Sequence, residues 1–233
     1  MIENRKTARI VGVLFIIATV VAVISVVFTG SIRDPNYLTL LSENKPKVIA
    51  GMLLDLIGAG AFVCLAVVIY PVLRRYNERI AVGYVTARVI EAVPFIIANI
   101  SLMSLITLSQ GYIKAAASDA TSYLPAATGF LAVYDWAQLL GPRIFASLAA
   151  VPFYYLLHQT KLLPRWISVW GLIGAPLYLA SGLIGLFELV SPYSPLLIIL
   201  FLPAGLLEMV MAVWMIVKGF NFPDTVLPSN NGI

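Results

Sequence analysis

The sequence predicts an all-α integral membrane bundle of six transmembrane helices, and three observations carry that reading. The 233 residues are 61% hydrophobic and only 11% charged, where a soluble domain carries about 25% charged residues. The apolar residues fall into six blocks, each near the roughly 20 residues needed to cross a hydrocarbon core about 30 Å thick. Within a block they run on without alternation, whereas barrel strands alternate in segments of about ten residues. A helix also satisfies its own backbone hydrogen bonds inside lipid.

The first span, Ile10–Thr29, follows Arg5, Lys6 and Arg9. It outruns the roughly 7–15 apolar residues of a cleaved signal peptide and reads as an uncleaved anchor. The second, Val48–Tyr70, contains the lone Cys64, expected to act as a small packing residue. The third covers Ile80–Ser109. A polar stretch, Gln110–Thr128, then reads as an outer loop with room for one short helix. The fourth, fifth and sixth spans are Gly129–Leu157, Trp166–Leu189 and Leu196–Val217. Residues 1–221 form one domain, and 222–233 ("FPDTVLPSNNGI") a short cytoplasmic tail.

Lys and Arg outside the spans set the orientation. Nine lie on the side of the two termini and four on the other, which puts both ends in the cytoplasm. The pI near 9.2 follows from that asymmetry, and no nucleic-acid partner is implied. Tyr70, Tyr154, Tyr155, Trp166 and Trp170 suit an inner aromatic belt. Tyr112, Tyr123, Tyr134, Trp136 and Tyr193 suit an outer one.

The candidate site is the ionisable interior. Asp55, Arg88, Glu91, Arg143 and Glu208 lie deep within spans, where a charge costs at least about 2.5–3.5 kcal/mol. They are expected to turn inward as a polar core, with Asn99, Asp135 and Gln138 as secondary polar groups. At about 1.5 Å per residue, Arg88, Glu91 and Glu208 lie about 12–16 Å from the cytoplasmic side, and Asp55 and Arg143 about 21–23 Å. The depths predict two layers: Arg88 with Glu91 or Glu208, and Arg143 with Asp55.

Helical periodicity supports an inward stripe of Arg88, Glu91, Phe95 and Asn99, with Val89, Ile96 and Ile100 elsewhere. It also aligns Gly51, Asp55, Ala59 and Ala66 on the second span. Gly171, Gly174, Tyr178, Gly182 and Gly185 line up on the fifth, and Ala204, Glu208, Met211, Ala212 and Met215 on the sixth. In "YDWAQLLGPR", Pro142 has no N–H for the Gln138 carbonyl, so a kink is expected beside Arg143. Three deep carboxyls face two deep arginines. Electroneutrality therefore predicts one protonated carboxyl, Glu91 or Glu208.

No H-E-x-x-H, phosphate-loop, dinucleotide or nucleophile-elbow motif occurs. One histidine and one cysteine do not make a conventional zinc site. No metal or cofactor is expected, and an enzyme is the less favoured class. Membrane lipids are the expected surroundings, with a proton or small solute as ligand. Oligomeric state is not fixed by these features.

Five ordered stretches, "TARIVGVLFI", "DLIGAGAFVCLAVVIYPVLR", "ARVIEAV", "YYLLHQTKLLPRWISVWGLIGAPLYL" and "LPAGLLEMVMAVWMIVKGFN", carry a resemblance over about residues 7–221. Together they resemble a bacterial multi-pass membrane family catalogued as domain of unknown function 4386. The resemblance implies a plasma-membrane protein of about six helices and supplies no substrate or catalytic residues. Three functions stay open at this point: a proton-linked or solute transporter-like protein, a membrane scaffold or partner regulator, and a lipid-modifying enzyme.

Overall fold

Uninterrupted apolar runs with short polar breaks leave the chain little besides helices to form. The computed structural model describes residues 2–115, 120–190 and 194–221, with no strand among them. The tail 222–233 and Tyr193 lie outside the described residues.

Helix α1 spans Ile2–Thr29 and ends in a 3-10 turn at Gly30–Arg33. The short α2, Tyr37–Glu43, leads into α3, Lys45–Leu73. Helix α4 runs from Glu78 to Lys114; the Asn77 side chain accepts the Ile80 N–H at 3.1 Å, and acidic Glu78 and basic Lys114 complement the two ends. Helix α5, Leu124–Leu139, passes through a π-helical segment at Leu140–Phe145 into α6, Ala146–Thr160. Lys161 stops α6 in the left-handed region at φ 55°. Helix α7 covers Arg165–Leu186, and α8, Pro195–Val217, starts from a Ser194 cap with proline at its first position.

Six of these units are long and apolar enough to cross a membrane, α5 and α6 counting as one. They close into a ring: α1 touches α3 and α8, α3 touches α4, α4 touches α5 and α6, and α7 joins α6 to α8. Both ends of the described chain meet on one face, where the Asn221 N–H donates to the Leu162 carbonyl at 2.8 Å and Gly219 abuts Arg5. The ring's outer wall is apolar throughout: Val26 is 69% exposed and Ile199 66%. Such a wall suits lipid, whereas water tolerates only small apolar patches.

Two apolar clusters fill the interior. One, toward the terminal face, includes Phe15, Tyr84, Phe153 and Leu156; the other, toward the opposite face, includes Leu41, Met52, Leu102 and Leu105.

Several expectations need correction. Gln110–Lys114 continues α4 instead of starting a loop, because nothing there interrupts the helix until Ala115 turns extended. The connection between α1 and α3 contains α2, which polar Asn36 and Asn44 bracket. Cys64 faces outward and packs no core. Tyr134 and Tyr154, expected at the membrane surfaces, are buried, since each belongs to a polar cluster described below.

Candidate functional site

The inward stripe of α4 organises the site. Arg88, Glu91, Phe95 and Asn99 are all buried, while Val89, Ile96 and Ile100 are exposed. Rising about 1.5 Å per residue, the stripe holds two polar layers roughly 12 Å apart, measured from Glu91 to Asn99. Phe95 separates them.

The layer nearer the terminal face is built on Arg88. Its Nη1 meets Glu91 Oε2 at 2.8 Å, with both side chains 4% exposed. Its Nε–H donates to the Tyr84 hydroxyl at 3.3 Å. The guanidinium carbon lies 4.8 Å from the Phe62 ring centre and 5.4 Å from that of Tyr84. Cation–π contacts of this kind contribute about 2 kcal/mol when desolvated. Tyr84 is itself fixed by stacking on Phe153, centroids 4.6 Å apart. Arg88 is thus held by a carboxylate, a phenol and two ring faces, and so offsets the cost of its burial.

Glu208 approaches the same guanidinium from α8. It is half-buried, lies within the electrostatic reach of Arg88 and Glu91, and accepts from the Thr19 hydroxyl at 3.4 Å. Between Glu208 and Arg88 is a cavity of about 20 Å³, also lined by Phe15, Phe153, Tyr154 and Tyr178. That volume admits about one water molecule. Two carboxyls therefore share the surroundings of one guanidinium, and Glu91 takes the direct bond.

The second layer centres on Asp55. Its Oδ2 accepts from Asn99 Nδ2 at 2.8 Å and from Gln138 Nε2 at 3.5 Å. Asn99 also donates to the Phe95 carbonyl at 2.8 Å, and Gln138 to the Tyr134 hydroxyl at 3.3 Å. Toward the opposite face, Arg33 Nη2 meets Asp135 Oδ1 at 2.6 Å, each side chain about one-third exposed.

The expected pairing of Arg143 with Asp55 gives way to these amide bonds. Arg143 instead packs along α7, its Cβ 3.1 Å from where a Gly182 methyl would lie and its Nη1 3.8 Å from one at Gly185. It also lies in electrostatic range of Tyr178. The cause is the π-helical segment. There the bonding shifts to i→i+5, as in the Ala146 N–H to Gly141 carbonyl bond, and the wider turn accommodates Pro142. The extra residue rotates Arg143 away from α3 and toward the glycines of α7. Of the secondary polar groups, Asp135 pairs with Arg33 at the partly exposed end, whereas Asn99 and Gln138 turn inward to Asp55.

Sequence reasoning missed Thr19, Phe62, Tyr84 and Tyr154 as members of the site. Helical spacing was the available signal for Tyr84, four residues before Arg88 on the same stripe. Thr19 gives no such signal, because a single hydroxyl amid valines and isoleucines is common in membrane helices.

Residues 10–219 match the family described as "Domain of unknown function (DUF4386)". The chain belongs to this family. No curated protein and no solved structure matches it. The DUF4386 region takes in both polar layers, the π-helical segment and all but the first residues of α1.

Proposed function

We propose that this DUF4386 protein handles protons in a bacterial plasma membrane, with both termini cytoplasmic and Glu208 as the exchanging carboxyl. The observation that carries the reading is the water-sized cavity between Glu208 and an Arg88 already bonded to Glu91. In a low-dielectric interior one guanidinium neutralises one carboxylate, and the second carboxyl reaches neutrality by keeping a proton. The groups facing Glu208 are Thr19 on α1, Arg88 and Glu91 on α4, Tyr154 on α6 and Tyr178 on α7. One water beside hydroxyl and carboxyl groups is sufficient for proton exchange, and the cavity is too small for an organic solute. The excess of Lys and Arg on the terminal side supports the orientation.

The test is proton flux in proteoliposomes carrying an internal pH dye, under an imposed membrane potential. Wild type is expected to conduct or take up protons above protein-free vesicles, and Glu208→Gln to lose that signal. Wild-type vesicles that match empty ones would overturn the reading. They would favour the membrane scaffold, for which the closed Arg88–Glu91 pair would serve only to fix helix register.

A further inference from the structure

The Asp55 layer is a second polar centre, and nothing in the proton reading uses it. Four helices converge there at one depth: Thr29 from α1, Asp55 from α3, Asn99 from α4, and Tyr134 with Gln138 from α5. Asp55 is 8% exposed, yet both groups bonded to it are neutral amides. The nearest arginine toward the opposite face, Arg33, is committed to Asp135. Hydrogen bonds from neutral amides do not cancel a carboxylate charge, so a buried Asp55 needs a cation, either a proton or a metal ion, to reach neutrality.

The geometry points to a monovalent metal-cation site at Asp55, of the Na⁺ class, reached from the face bearing Arg33 and Asp135. A single carboxylate selects charge: one unit neutralises Asp55, whereas a divalent ion would leave a buried excess. The donor set selects chemistry, because hard cations take oxygen ligands. The Asp55 carboxylate, the Tyr134 and Thr29 hydroxyls, and the amide oxygens of Asn99 and Gln138 supply oxygens from all four helices. Each amide presents nitrogen or oxygen to the same spot by a half-turn of its terminal bond, so ligating the ion exchanges the bonds to Asp55, the Phe95 carbonyl and the Tyr134 hydroxyl for bonds to the cation. The approach is from the Arg33–Asp135 end: Asp135 is about one-third exposed, and Gln138 lies one turn further along α5.

The test uses the full-length protein in lipid nanodiscs, with NaCl replaced by choline chloride at fixed ionic strength. Thermal unfolding and binding of radiolabelled Na⁺ are both measured. Wild type is expected to bind one Na⁺ per chain and to show a saturable rise in Tm that Asp55→Asn abolishes. Asn99→Ala and Gln138→Ala are expected to weaken Na⁺ binding about tenfold or more while folding normally. Glu208→Gln, in the other layer, is expected to keep the Na⁺ response, so failure of the proton reading leaves this one separately decided. Wild type with no bound Na⁺ and the same Tm in both salts overturns the proposal, whatever the variants do. A Tm that follows pH alone, with no Na⁺ effect, also overturns it and assigns Asp55 a proton.

Discussion

Gly141 of the π-helical segment packs against Pro94 of α4 so closely that a methyl on Gly141 would lie 3.0 Å from the proline Cβ. The same methyl would come within 3.1 Å of the Glu91 carbonyl. The π-helical segment thus meets Pro94 of α4 between the polar layers, and the absence of a side chain at 141 sets their spacing. Gly141→Val is expected to cost about 1–3 kcal/mol by overpacking. Gly129 lies in α5 with open space around it, so Gly129→Ala is expected to be neutral or to stabilise by about 0.5–1 kcal/mol. Thermal unfolding of both variants in nanodiscs checks the contrast.

Arg88 should tolerate neither truncation nor Lys. Arg88→Leu leaves Glu91 buried beside Phe62 and Tyr84 with no countercharge, an expected loss of about 3–5 kcal/mol. Arg88→Lys keeps the charge but loses the planar contact with two rings and the Nε–H bond to Tyr84. The double variant Arg88→Leu, Glu91→Leu removes both charges and is expected to recover most of the single-variant loss. A double-mutant cycle on unfolding free energy measures it.

The sequence revealed much of this layer and little of the other. Arg88 and Glu91 are i,i+3 neighbours on one regular helix, so periodicity alone placed them together and inward. Depth counting then brought Glu208 to the same level, because α8 is also regular through that region. The count failed at Arg143: Gln138, five residues earlier, is the one bonded to Asp55, while Gly141 already faces Pro94 and the Glu91 carbonyl nearer the Arg88 layer. A π turn changes the angular step without changing composition, and Pro142 signals a disturbance without giving its form. Once Arg143 turns toward Gly182 and Gly185, Asp55 must be satisfied otherwise. Asn99 and Gln138 do so through amide orientations that no sequence pattern encodes.

The Arg33–Asp135 pair bridges the turn after α1 and α5, yet its stability role is expected to be small. Both side chains are about one-third exposed, and ion pairs in contact with water contribute about 0–1 kcal/mol. Asp135→Asn is expected to shift unfolding by less than 1 kcal/mol, and the shift should shrink further in high salt. The two single variants and the double, unfolded at low and high ionic strength, give the coupling directly. A coupling of several kcal/mol would mean that the pair is a structural clamp and not a surface contact.

The two carboxyls around Arg88 are expected to respond oppositely to the same conservative change. Glu91 supplies the countercharge that makes the buried guanidinium tolerable, so Glu91→Gln strips a direct ion pair and should cost about 3–5 kcal/mol. Glu208 accepts one long bond from Thr19 and makes no ion pair among the described residues. If it carries a proton, glutamine matches it in charge and nearly in shape, and Glu208→Gln should change stability by less than about 0.5 kcal/mol. Glutamine at 208 would still accept from Thr19, so the comparison isolates charge from hydrogen bonding. Unfolding of the two variants at neutral pH, followed by infrared measurement of the protonated-carboxyl band, reads both predictions. That band should disappear with Glu208→Gln and persist with Glu91→Gln; the reverse pattern would transfer the proton to Glu91 and leave Glu208 as the partner of Arg88.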